Sequence, residues 1–99
     1  MQIDKNNILV VGRDPQTLQG VVDMLKENGY DAHGESIDEN ALEAFNKYDF
    51  DGVLLGGGVD SQSREVLVPA FLNKNPKVKI ASGHPWQALE ALREAFTEH

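Results

Sequence analysis

Apolar residues along this chain come in short unbroken runs that alternate with stretches of helical periodicity. Ile8-Leu9-Val10-Val11 is the first run, rich in β-branched residues, as suits a strand covered on both faces. Asp14-Pro15 then reads as a helix N-cap followed by proline at the first helical position. Leu18, Val21, Val22 and Leu25 recur at i, i+3, i+4 and i+7, the stripe of an amphipathic helix, and Asn28-Gly29 is its stop. Residues 30–35 form a poorer strand, weakened by Asp31 and Gly34. Ser36 with Glu39 fits a capping box, opening a helix that turns Ile37, Ala41, Leu42 and Phe45 inward. Residues 52–55 are a second unbroken run. Asp60 or Ser61 caps a third helix carrying Val66, Leu67, Ala70 and Phe71, which Asn75-Pro76 ends. Pro69 inside it predicts a kink or a late helix start.

The pattern changes at residues 77–82. Val78 and Ile80 alternate with Lys77 and Lys79, as in a strand with one face in the core and one face wet. The lysines also suit a sheet edge, where charge discourages accidental pairing. A last helix follows His84-Pro85, with Trp86, Leu89, Leu92 and Phe96 on one face. The whole reads βαβαβαβα, which predicts an α/β fold, a doubly wound parallel sheet with right-handed crossovers. Residues 1–99 are expected to form one domain, and no internal repeat, linker or low-complexity tract divides them.

Composition narrows the function classes. The absence of cysteine excludes disulfides and thiolate metal sites. No apolar run approaches the length of a membrane span and the opening MQIDKNN is polar, so a cytoplasmic protein with no membrane partner is expected. The formal net charge of −7 is uneven: residues 1–49 carry −6 and residues 50–99 carry −1. Lys74, Lys77 and Lys79 are the single basic cluster, which argues against direct nucleic-acid binding.

Three stretches resemble response-regulator receiver domains, the CheY-like group of flavodoxin-like folds. ILVV followed by three turn residues and a proline resembles a receiver's opening strand and loop. ENGYDA resembles the family's helix-to-strand passage, and ALEAFNKYDFDGVLL resembles the approach to its phosphorylated strand. The resemblance covers nearly the whole chain. It implies a sheet in the order 2-1-3-4, because the fourth strand and the last helix leave no room for the family's fourth helix and fifth strand. The last helix is expected beside the first.

A working receiver carries acids after its first strand and an acceptor aspartate at the end of its third. Those oxygens hold Mg²⁺, which neutralises the phosphoryl group during transfer. The resemblance places the first two acid positions on Gly12 and Arg13 and the acceptor on Gly56, none of them acidic. Asp14 remains, but before Pro15 it reads as a cap. Ser82 falls where the family has a hydroxyl that contacts the phosphoryl group, and His84-Pro85 echoes the family's Lys-Pro. The pocket Gly12, Arg13, Asp14, Gly56, Ser82 and His84 is therefore expected to be degenerate, with no cofactor and no metal.

The resemblance then implies a phosphorylation-independent pseudo-receiver, a protein-interaction module in signalling or transcriptional regulation and not an enzyme. Candidate contacts with a protein partner, or with a second copy, are the free edge around Lys77 and Lys79 and the aromatic Trp86. The alternative is a small-anion or nucleotide site made by Arg13, Gly57, Gly58 and Ser61, since glycines and helix N-termini let free amides approach an anion. GGGVDSQS matches neither a Walker loop nor a dinucleotide fingerprint, and no G-x-S-x-G elbow supports a hydrolase.

Overall fold

The computed structural model describes residues 6–83 and 87–97. Each apolar run becomes a strand: β1 (Asn7–Val11), β2 (Asp31–Glu35), β3 (Gly52–Gly56) and β4 (Lys79–Gly83). Each periodic stretch becomes a helix: α1 (Pro15–Glu27), α2 (Asp38–Lys47), α3 (Ser61–Lys74) and α4 (Ala88–Thr97). The strands pair in parallel in the order β2-β1-β3-β4. This is the predicted four-stranded order, and the element after β4 is a helix.

Strand side chains alternate between faces, so each central strand feeds two cores. Leu9, Val11, Val53 and Leu55 join Ala41, Phe45, Leu67, Phe71 and Val78 beneath α2 and α3. Ile8, Val10 and Leu54 join Val21, Val22, Leu25, Ala88 and Leu92 beneath α1 and α4. The last helix thus shares a layer with the first. Ala81 of β4 is buried in that same layer, so α4 covers most of the strand face expected to be wet. Lys79 is half-buried and only Lys77 and Ser82 remain exposed in this stretch. Residues 77 and 78 precede the strand, which begins at Lys79 and extends to Gly83.

Local chemistry explains the helix ends. Asp14 caps α1 by accepting from the Thr17 amide, with Pro15 opening the helix. At the other end Gly29 has φ 91°, and the Tyr30 and Gly29 amides donate to the Leu25 and Lys26 carbonyls. That double closure needs a left-handed residue, which glycine supplies without strain. Asp60 caps α3 by accepting from the Ser63 amide at 2.8 Å. Lys74, on the last turn of α3, donates to the Phe45 and Tyr48 carbonyls at the end of α2, where cations are favoured.

Three expectations need correction. Ser36 does not cap α2; Ile37 holds the N-cap position without a side-chain hydrogen bond and is 55% exposed. The backbone carbonyl of Ser36 is instead claimed by Arg13. Val66 is not inward but 58% exposed, because α3 is apolar on more than one side and buries Leu67 and Phe71. Finally, Pro69 neither delays nor ends α3. It sits on the exposed side with Glu65, whose carbonyl loses its usual amide donor where water can replace it.

Two glycines set how closely the helices of the α1–α4 layer approach the sheet. A Cβ at Gly34 would stand 3.0 Å from both Leu18 and Val22, so α1 lies directly on β2. A Cβ at Gly52 would stand 2.9 Å from Cζ of Phe96, so the α4 ring rests on the β3 backbone.

Candidate functional site

In open α/β sheets the crevice lies at the carboxyl ends of the strands, where neighbouring crossovers diverge. Here β1 and β3 end side by side with Val11 opposite Leu55, and Gly56 pairs with Gly83 across β3 and β4. The paired glycines leave no side chains over the ends of β3 and β4. A cleft of 260 Å³ opens there, lined by the Gly12–Asp14 turn, Gly56–Gly58, Gly83 and the apolar side chains of Val10, Leu18, Val21, Leu54 and Ala88.

The structure therefore brings together Gly12, Arg13, Asp14, Gly56, Gly57 and Gly58. Ser82 and Ser61 are exposed and stand apart from the cleft lining. His84 and Trp86 lie outside the described residues. Lys77 is exposed just before β4, and Lys79 lies on β4 itself.

Gly56 sits tightly. A Cβ there would stand 3.2 Å from the Val11 carbonyl oxygen and 3.6 Å from the Gly12 Cα. The neighbour is main chain of β1 rather than a flexible side chain, so it gives way less readily.

Arg13 lines the cleft, but its guanidinium bonds to residues outside the lining. Nη1 donates to the Ser36 carbonyl at 2.9 Å, and Nη2 donates to Asp38 Oδ1 at 2.7 Å and to Ser63 Oγ at 2.9 Å. Its stem packs against Gly58, where an added Cβ would meet Arg13 Cγ at 3.3 Å. One guanidinium thus ties the β1–α1 turn to the start of α2 and to the first turn of α3. The planar fork of arginine suits three acceptors better than a lysine ammonium would. The Ser63 hydroxyl, and then Arg13, hold the Asp38 carboxyl below its ordinary range despite partial desolvation.

Asp14 is likewise occupied. Its carboxylate accepts from the Thr17 hydroxyl at 2.5 Å and from the Thr17 amide at 3.2 Å, which lowers its pKa, the hydroxyl contributing most. Both charged residues beside the cleft therefore have partners of their own. No group of three His, Cys, Asp or Glu side chains is placed to hold a metal among the described residues. Nor is any helix among them long and apolar enough to cross a membrane.

Sequence reasoning missed the partners of Arg13. Ser36, Asp38 and Ser63 lie 23, 25 and 50 positions away, and nothing in local spacing links them. The cleft was half visible: its glycine rim stood out, whereas its apolar floor was read simply as core.

A 2-1-3-4 parallel sheet between two helix layers, with its loops gathered above β1 and β3, is a receiver-like fold of the flavodoxin-like kind. Among solved structures the chain is similar to the chemotaxis response regulator CheY4 of Vibrio cholerae, with a TM-score of 0.63 and 15% identity over 93% of this chain and 99% of that one. It is also similar to a fusion carrying the trimeric coiled coil of yeast Spc42, with a TM-score of 0.61 and 16% identity over 96% of this chain and 66% of that one. Likeness at such low identity is likeness of fold. No family model matches the chain, and no curated protein matches it in sequence.

Proposed function

We propose that this chain is a phosphorylation-independent receiver-like module that acts by binding another protein in cytoplasmic signalling or transcriptional regulation. One observation carries the reading. The positions where a receiver gathers its acids hold Gly12, Arg13 and Gly56, and the arginine is bound into a structural tie with Ser36, Asp38 and Ser63. A hard dication needs several oxygen ligands, and phosphoryl transfer needs a nucleophile. Neither need is met by two glycines and a guanidinium.

What remains is a rigid scaffold with surfaces to present. Helix α3 exposes two large apolar groups, Val66 and, to 39%, Leu72, about 120° apart around its axis. The outer edge of β4, unpaired among the described residues, carries Lys79 with Lys77 just before it, and there an extended segment of a partner adds as a strand. A second copy of the chain is the alternative occupant of the same edge. The anion-binding reading of Arg13, Gly57, Gly58 and Ser61 is weaker, because the cation it needs already neutralises Asp38.

Two measurements test this. Incubation with acetyl phosphate and Mg²⁺ is expected to leave the intact mass unchanged; a stoichiometric phosphoryl adduct would overturn the reading. Capture of partners from the source cell is expected to fail for the Val66→Glu, Leu72→Glu double variant. Equal capture by wild type and variant, with sedimentation showing a monomer for both, would remove α3 as the binding surface.

A further inference from the structure

The cleft above β1 and β3 has features that the interaction role does not use. Its floor is made of Val10, Leu18, Val21, Leu54 and Ala88, all apolar. Its rim is glycine backbone, from Gly12, Gly56–Gly58 and Gly83. The two charged residues at its edge are satisfied elsewhere, Arg13 by Asp38 and the two serines, Asp14 by Thr17. Among the described residues, the lining therefore presents neither a free cation nor a free carboxylate to an occupant, and its Thr17 hydroxyl already donates to Asp14.

The chemistry of such walls decides the occupant. A water molecule held in a cavity needs two to four polar partners, and apolar cavities of about 150 Å³ stay dry and take up benzene. The cleft measures 260 Å³, enough for a flat molecule of on the order of ten non-hydrogen atoms by that comparison. An anion would enter beside the Asp14 carboxylate, which already neutralises the start of α1. Backbone amides at Gly57 and Gly58 make no hydrogen bond among the described residues, so the rim offers donors to one polar atom of a neutral ligand. Concave, mostly apolar sites with a few polar groups at the strand C-terminal ends are the usual places for small molecules.

We propose that this cleft binds a small uncharged aromatic molecule, its ring on Val10, Leu18, Val21 and Leu54 and a hydrogen-bond acceptor toward the Gly57 and Gly58 amides. The site and the α3 surface lie on opposite faces of the sheet, so either role can fail while the other stands.

The test uses the full chain, labelled with nitrogen-15, titrated separately with indole and 2-naphthol as probes and with inorganic phosphate. The aromatic probes are expected to shift the amides of Gly56, Gly57, Gly58 and Gly83 saturably, and phosphate is expected to leave them in place. Val21→Phe, which fills the floor from α1, is expected to weaken probe binding at least tenfold, with any overpacking cost read separately as a lower melting temperature. Should that variant misfold, Ala88→Val narrows the same cleft from α4 and carries the same expectation. Val66→Ser, on the far face, is expected to bind both probes as wild type does. No saturable shift with either aromatic probe in the wild-type protein would overturn the proposal. So would equal binding by a folded filled variant, or saturation of the glycine amides by phosphate instead.

Discussion

Replacing Arg13 with alanine tests the tie that joins three loops. The variant loses donors to the Ser36 carbonyl, to Asp38 and to Ser63. A neutral hydrogen bond contributes about 0.5–1.5 kcal/mol, and one to a charged group more. However, the Arg13 and Asp38 side chains are 34% and 31% exposed, so water screens the pair and reclaims the abandoned acceptors. Exposed ion pairs are typically worth about 0–1 kcal/mol. The three contacts together are therefore expected to stabilise the fold by about 1–2 kcal/mol, read as a fall in Tm of roughly 5–15 °C for a domain of this size. Arg13→Lys keeps the charge but cannot fork to three acceptors, and is expected to recover less than half of the loss.

The pH dependence fixes the cause. Asp38 has a folded pKa below its ordinary value of 3.8, so its contribution is present above that value and fades as pH falls through the folded pKa. Wild type and Arg13→Ala are thus expected to differ most at about pH 7 and to differ less at an acid pH below the folded pKa of Asp38, where only the non-titrating contacts to Ser36 and Ser63 remain. Urea unfolding followed by circular dichroism at both pH values measures the gap. A gap of equal size at both, or none at either, would refute the idea that Arg13 acts through an ionised Asp38.

Two further substitutions probe the packing. Gly52→Ala puts a Cβ 2.9 Å from the Phe96 ring and 3.2 Å from Ile8, so an overpacking penalty of about 1 kcal/mol is expected, and the sign reverses in a Phe96→Leu background. A urea double-mutant cycle showing no coupling would count against that contact. Phe71 is fully buried with its ring 4.6 Å from that of Phe45. Phe71→Ala is expected to cost about 3–5 kcal/mol, a large part of the stability of a domain this small, and calorimetry showing a loss under 1 kcal/mol would contradict the assigned core.

Much of the fold was legible because its strands are unbroken apolar runs. Ile8–Val11 and Val53–Leu55 need both faces covered, and a parallel sheet between helices supplies that. The caps at Asp14 and Asp60 were equally readable, being local chemistry between residues three apart. Where two partners competed for one group, sequence was silent. Ser36 looked like a cap, but its carbonyl meets a guanidinium from 23 positions upstream. Val66 looked like core because α3 is apolar on several sides, and periodicity cannot choose among them. The acidless strand ends were visible by comparison with a receiver, whereas the cleft beside them required knowing that Gly56 and Gly83 are neighbours.

The close seat of Gly56 bears on any attempt to engineer an acidic pocket here. An aspartate placed at that position would bring its first carbon against a main-chain oxygen of the adjoining strand, 3.2 Å off. Writing acids at Gly12 and Arg13 would also cut the rope that moors α2 and α3. Each of these changes taken alone would cost stability, so an acidic pocket at these three positions would have to be accommodated in one coordinated step.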